Sequence, residues 1–169
     1  MNILISLALS SFFTVLPVSN EDIGWEITEN KLIKQFDVEK VSDGTGHGHG
    51  YSDFSEVNPV VYVDNSSSDK KIEFYFHNKK LYKIYTIFRS RENEFSFYEE
   101  KIEEFKETLG SPKEQYTDEL FSMPIQHHIW ETEEEKLDLR YGAGYVYEVR
   151  INKKSAEEKQ LNIDLKHAI

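Results

Sequence analysis

The residues best suited to chemistry are two histidines in a glycine-rich segment. One glycine separates His47 from His49, and Asp43 and Asp53 flank the pair. Neutral imidazoles bind zinc, copper or nickel, and carboxylates could complete such a site. A solvated loop is the favoured interpretation, because a flexible backbone does not fix ligand geometry and no third rigid ligand is indicated. If the segment binds a metal, His47 and His49 are the candidate ligands, and the sequence indicates no other cofactor.

Two other groups of titratable residues stand out. His127 and His128 are adjacent, so on a strand they point to opposite faces, and we expect one to be buried and hydrogen-bonded and the other exposed. Glutamates crowd the segment 92–107 and recur over 131–135. These two stretches are either solvated surfaces or an acidic docking face.

No motif of a known catalytic type is present. The sequence has no glycine-rich phosphate loop entering a helix and no nucleophile elbow, and no serine lies in a recognisable nucleophile context. Whether the chain is an enzyme is left open by the sequence, with a non-catalytic role favoured. The catalytic and cofactor-binding residue sets are therefore empty at this stage.

Charge and cysteine content exclude several classes of protein. The formal net charge is −11, from 31 acidic and 20 basic residues. A surface of this sign repels the phosphate backbones of nucleic acid. It serves solubility alone, or it attracts cations or a protein partner with a basic surface. The chain contains no cysteine, which excludes disulfides, thiol catalysis and a lipidated N-terminal cysteine.

Residues 1–19 are typical of a signal peptide. The segment has no charged side chain, and its apolar run over 3–16 is shorter than the ~20 residues of a membrane-spanning helix. It lacks a basic residue at the start and a clean small-residue cleavage site, and the alternative is a buried N-terminal helix or strand. We predict a periplasmic or secreted protein without stable membrane insertion.

The remainder, residues 20–169, is expected to form a single domain with a flexible loop of glycine and histidine at 41–58. A helix capped by Thr28 ends near Phe36, and a second runs from Ser96 to Leu109 with Ser96 and Glu99 as its capping box. The second helix should bury Tyr98, Ile102, Phe105 and Leu109, at spacings of four, three and four. A terminal helix is predicted over 155–168.

Six strands are predicted from a β-branched run or from apolar residues that mostly alternate with polar ones, over 59–64, 71–77, 81–88, 127–131, 136–141 and 145–151. Gly142-Ala143-Gly144 predicts a tight turn between the last two. The expected fold is α+β, an antiparallel sheet with helices packed on one face, and the order of elements suggests two helix-plus-meander modules.

Three stretches of the chain resemble a known group of proteins. They are WEITENKLIKQF at 25–36, IEFYFHNKKLYKIYTIF at 72–88, and FYEEKIEEFKETLGSP at 97–112 followed by HIWE at 128–131. Together they resemble the helix-then-meander modules of β-lactamase-inhibitor-protein-like proteins and of small outer-membrane-assembly lipoproteins. The resemblance implies an α+β fold used for protein binding, with no active site. Membrane anchoring does not transfer, because this chain lacks the lipid-bearing cysteine.

The sequence therefore favours an exported, non-catalytic protein-binding or inhibitor-like domain. The alternative is an exported metal-binding or metal-dependent protein that uses the loop with His47 and His49.

Overall fold

The computed structural model describes residues 23–43, 59–89, 93–120 and 122–157, which form three helices and eight strands. The helices are α1 (Glu29–Gln35), α2 (Glu94–Leu109) and α3 (Lys153–Glu157). The strands are β1 (Val38–Asp43), β2 (Val60–Asp64), β3 (Lys70–His77), β4 (Lys80–Phe88), β5 (Glu114–Leu120), β6 (Met123–Glu131), β7 (Glu135–Gly142) and β8 (Tyr145–Asn152).

All eight described strands belong to one antiparallel sheet in the order β1-β2-β3-β4-β8-β7-β6-β5. The chain forms two four-stranded meanders, β1 to β4 and β5 to β8, and a helix precedes each. The last strands of the two meanders pair with each other at the centre of the sheet, where Tyr85 lies opposite Val149. The first strand of each meander, β1 or β5, consequently forms an outer edge.

The predicted fold class, α+β, is wrong, because the sheet and not the packed helices dominates the fold. The described chain is dominated by its sheet, with 52% of residues in strands, and two of the three helices have only 7 and 5 residues. Sequence analysis assigned six strands and missed β1 and β5. Both are polar edge strands, EQYTDEL in β5 and VEKVSD in β1, so neither shows the apolar alternation on which strand prediction depends.

Each of the first two helices covers its own hydrophobic cluster on one face of the sheet. Leu32 of α1 is fully buried with Phe74 and Ile84. Tyr98, Ile102 and Phe105 of α2 are buried against strands β6 to β8, with residues such as Trp130 and Leu139. Burying such side chains stabilises the fold by ~1.5–3 kcal/mol each. The fourth residue of the predicted stripe, Leu109, is 44% exposed, so its predicted burial is wrong.

The helix ends follow simple hydrogen-bonding rules. The Thr28 hydroxyl accepts a hydrogen bond from the Lys31 backbone N–H and caps α1, as predicted. At α2 the predicted cap is wrong, because the helix begins two residues earlier and the Asn93 side chain accepts from the Ser96 N–H. Gly110 ends α2 with φ of 82°, the conformation that favours glycine.

Several sequence predictions fall on other parts of the chain. The predicted signal peptide, residues 1–19, lies outside the described residues. So do His47 and His49, Asp53 and residues 158–168 of the predicted terminal helix. The first residues of the predicted loop, 41–43, belong to β1.

Candidate functional site

A pocket of about 300 Å³ lies between the C-terminal half of α2 and the strands beneath it. Its apolar wall comes from both layers and consists of Phe105, Leu109, Trp130 and Leu137. Its polar wall consists of Thr108, Thr132, Glu135, Glu148 and Arg150. A concave, mainly apolar site with a few polar groups is the usual form of a binding pocket, and this volume is at the small end of the usual range.

The aromatic wall of the pocket is fixed in place. The Phe105 and Trp130 ring centroids are 5.4 Å apart, and both side chains are buried. The Trp130 indole N–H donates to the Gly110 carbonyl oxygen at 2.8 Å, which ties β6 to the end of α2. Leu109, exposed at the pocket, completes an apolar surface that is already formed in the free protein.

A bidentate ion pair between Arg150 and Glu135 holds the polar wall in place. The Arg150 Nε and a terminal nitrogen donate to the two oxygens of Glu135 at 2.6 and 2.9 Å. The Trp25 indole N–H donates to the same carboxylate at 3.2 Å, and the Arg150 guanidinium lies 5.6 Å from the Trp25 ring centre. Bidentate pairing of this kind is strong and restricts both side chains. Trp25, which precedes α1, thereby connects the first meander module to the pocket.

The outer side of α2 carries the acidic surface that the sequence predicted. An open depression there is lined by Ser96 and five glutamates, Glu99, Glu100, Glu103, Glu104 and Glu107. Two of the glutamates are neutralised by lysines three residues away, in the pairs Lys101–Glu104 and Lys106–Glu103. Within the part of the chain that the structure describes, the other three form no ion pair. The surface is therefore negatively charged beside the pocket.

In the second acidic stretch, at 131–135, two of the four glutamates, Glu131 and Glu135, are neutralised by ion pairs. Glu131 forms ion pairs with Lys113 and with Lys153, the latter at 2.9 Å. The hydrogen bonds from these two lysines lower the pKa of Glu131 to about 2. Glu135 is paired with Arg150, as described above. Two glutamates without an ion pair, Glu133 and Glu134, remain among the described residues of this stretch, compared with three on α2.

His127, Asp138 and Arg140 form a cluster on the face of the sheet opposite α1 and α2. Its residue types are those that often occur in catalytic sites. Asp138 contacts the His127 Nδ1 at 3.2 Å and accepts from the Arg140 Nε at 2.7 Å, and the Tyr116 ring stacks on His127 at 4.5 Å. Burial would raise the pKa of Asp138, but the hydrogen bond from His127 and the charge of Arg140 outweigh it and lower the pKa. All three polar residues are at most 4% exposed, so their arrangement favours a structural role.

The neighbouring histidine faces α2. Burial and the charge of Lys106 lower the pKa of His128, and its Nδ1 lies at hydrogen-bond distance, 2.7 Å, from the Tyr98 hydroxyl oxygen. The two histidines thus lie on opposite faces, as predicted. His127 is buried as expected, whereas His128 is half-buried rather than exposed.

Metal binding and membrane crossing can be assessed over the described ranges. In 23–43, 59–89, 93–120 and 122–157, no group of three or more potential ligand residues could hold a metal ion. The metal prediction for His47 and His49 concerns residues outside those ranges and stays a prediction. No described helix has the length and apolar character needed to cross a bilayer.

Sequence reasoning missed the pocket, although it named several of its residues as parts of helices or strands. The lining comes from 105–109, 130–137 and 148–150, which meet only once the sheet is assembled. The sequence contains one indication of the pocket. Leu109 is an apolar residue in the last turn of α2, and such a residue can line a pocket as well as pack into the core.

No family model, curated protein or solved structure matches the chain. The resemblance to β-lactamase-inhibitor-protein-like proteins and assembly lipoproteins therefore stays a prediction.

Proposed function

We propose that this chain is an exported, non-catalytic protein-binding or inhibitor-like domain whose partner has a basic surface. The observation that carries the proposal is the position of a preformed apolar pocket directly beside the acidic side of α2. Thr108 lines the pocket, and the preceding residue, Glu107, lines the acidic depression. One partner surface can therefore contact both.

The pocket suits the energetics of protein recognition. Affinity at protein interfaces is concentrated in a few side chains that fill well-packed apolar pockets, and charged residues around them add specificity and speed of association. Because the Trp130 and Arg150 side chains are held by hydrogen bonds, little ordering entropy is lost when a partner binds.

Charge supports a basic partner over an acidic or neutral one. The chain carries a net charge of −11, and Glu99, Glu100 and Glu107 add local negative charge next to the pocket. The pocket itself contains two carboxylates, Glu135 and Glu148, and one guanidinium. A lysine- or arginine-rich surface is therefore attracted to this side of the molecule, and the attraction weakens with salt.

Selection from a displayed library of random peptides tests the proposal. We expect the full chain to enrich peptides that contain both apolar and basic residues. Their binding should be lost when Thr108→Trp obstructs the pocket and should weaken in Leu109→Ala, which removes an exposed part of the apolar wall.

The matched control is Ile33→Ala on α1. Ile33 is 49% exposed and Leu109 is 44% exposed, so the two substitutions remove similar surface from two different helices. Ile33→Ala should leave binding unchanged, and thermal melting should show all variants folded. A failure to enrich any peptide, or enriched peptides that bind Thr108→Trp as well as the unaltered chain, would contradict the proposal.

A further inference from the structure

We infer that the partner presents a linear segment in which an uncharged apolar side chain enters the pocket and a lysine or arginine follows or precedes it within about four residues. This inference rests on the function proposed above and specifies the chemistry of the segment that the site recognises. It follows from the composition of the pocket and from the spacing of the glutamates along α2.

The anchor side chain is expected to be uncharged. The Glu135 carboxylate is occupied by two hydrogen bonds from Arg150 and one from Trp25. A charged anchor would have to disrupt this half-buried pair and leave one partner uncompensated, which is unfavourable. The remaining wall, with Phe105, Leu109 and Trp130, favours an aromatic or branched aliphatic side chain.

The position of the basic residue follows from helix geometry. Glu100, Glu104 and Glu107 are spaced by four and three residues, so they form a row along one side of α2. The row ends beside Thr108, whose hydroxyl donates to the Glu104 carbonyl oxygen at the pocket. At 1.5 Å of rise per residue, Glu100 lies about 12 Å along the helix axis from Thr108.

An extended segment covers that distance in about three or four residues, at roughly 3.3 Å per residue. Glu104 is already paired with Lys101 at 2.8 Å, so Glu107 and Glu100 are the carboxylates that a partner meets along the row. A basic side chain next to the anchor reaches Glu107, and one three or four residues away reaches Glu100. A basic side chain much farther along the segment reaches neither.

Three fluorescent synthetic peptides test the spacing with the full chain. All have a glycine–serine backbone. The compact peptide carries one tryptophan and two lysines within four residues of the tryptophan. The spread peptide has the same composition, but both lysines are at least eight residues from the tryptophan. The third peptide is the compact peptide with alanine in place of tryptophan. By fluorescence anisotropy we expect the compact peptide to bind about ten-fold more tightly than either of the others, or about 1.4 kcal/mol.

Variants of the glutamates test whether the row of Glu100, Glu104 and Glu107 causes the tighter binding of the compact peptide. The double substitution Glu100→Gln, Glu107→Gln should abolish the advantage of the compact over the spread peptide and preserve the advantage of tryptophan over alanine. The matched control is Glu26→Gln, Glu39→Gln, which removes two exposed carboxylates from the first module.

The outcomes separate this inference from the proposed function. Equal binding of the compact and spread peptides, or an advantage that survives the Glu100 and Glu107 substitutions, overturns the inference. If library selection yields pocket-dependent peptides whose basic residues show no preferred spacing, the inference fails and the proposed function stands. If neither selection nor the designed peptides give pocket-dependent binding, the proposed function fails as well.

Discussion

Replacing Asp138 with asparagine removes the buried charge that organises the face of the sheet opposite α1 and α2. Asp138 is 0% exposed and contacts both His127 and Arg140, each almost fully buried. Breaking a buried ion pair from one side costs about 3–5 kcal/mol. Asparagine keeps one accepting oxygen, so we expect the lower end, about 3 kcal/mol, for Asp138→Asn. Urea unfolding followed by circular dichroism measures this as a loss of unfolding free energy.

Glu103→Gln is the matched control for this substitution. It makes the same chemical change in an exposed pair, because the Glu103 and Lys106 side chains are 68% and 40% exposed. Such pairs contribute less than about 1 kcal/mol. A cost for Asp138→Asn as small as that of Glu103→Gln would refute the argument that burial makes the Asp138 network important.

The same network predicts a pH dependence with a definite sign. The pKa of Asp138 in the folded protein lies below its ordinary value of 3.8, as a net result of burial, which raises it, and the contacts with His127 and Arg140, which lower it. Its contribution to stability is therefore fully present above the unfolded pKa and is lost as the pH falls through the folded pKa. Between about pH 5 and about pH 2, Asp138→Asn should lose less stability than the unaltered chain.

Three further predictions concern other parts of the chain. Phe105→Ala should cost about 3–5 kcal/mol in denaturant unfolding because Phe105 is buried, whereas Leu109→Ala, at an exposed position, should cost under about 1 kcal/mol; equal costs would show that the described packing of α2 is wrong. Ala143 has φ of 53° in the turn between β7 and β8, so Ala143→Asn should raise the melting temperature by stabilising the turn by about 0.5–1 kcal/mol, and a lower melting temperature would contradict this. In calorimetric titration with zinc, copper or nickel we expect weak binding that is unchanged in the double variant His47→Ala, His49→Ala; micromolar binding lost in that variant would favour the metal-binding alternative.

The fold was predictable where local pattern and tertiary packing agree. The hairpin expected over 71–88 is confirmed as β3 and β4, and its turn contains Asn78 and Lys79 with positive φ. The stripe of α2 is confirmed at three of its four positions. In both cases apolar residues recur at the period of the element, and the same residues form the core.

The edge strands were not predictable in this way. β1 and β5 carry charged residues at many positions, and each becomes a strand because it pairs with one neighbour, β2 or β6. Charge on edge strands protects a sheet from unwanted pairing, and it also removes the apolar alternation from the sequence. Because β1 and β5 were not predicted, the sheet was expected to be smaller than it is, and the predicted fold class was α+β instead of sheet-dominated.

The tight turn after β7 was predicted correctly, but its two glycines have different roles in the structure. Glycine favours a tight turn because it adopts positive φ easily, but here the two residues with positive φ are Ala143, at 53°, and Gly144, at 76°. Gly142 is needed for another reason, because a Cβ atom there would lie 2.8 Å from the Ile125 side chain on β6. That contact depends on strand order, which local sequence does not encode.

The candidate site was predictable only in part. The acidic residues of α2 were visible in the sequence, because helical spacing alone places them on an exposed side. The pocket was not, since Phe105, Trp130 and Arg150 come from three elements and meet through the sheet order. The bidentate pair of Glu135 and Arg150 likewise depends on the register of β7 and β8, where Leu137 lies opposite Arg150.

The most direct test of the proposed binding site uses the two tryptophans of the chain as reporters. The Trp130 indole N–H lies in the pocket wall, and the Trp25 indole N–H donates to Glu135 in the opposite wall. In a ¹⁵N-labelled sample these two groups give separate NMR signals. Titration with a library-selected peptide should shift the Trp130 signal in proportion to the fraction bound, with a smaller shift for Trp25. Saturable binding that leaves both indole signals unmoved would contradict the assignment of this pocket as the binding site.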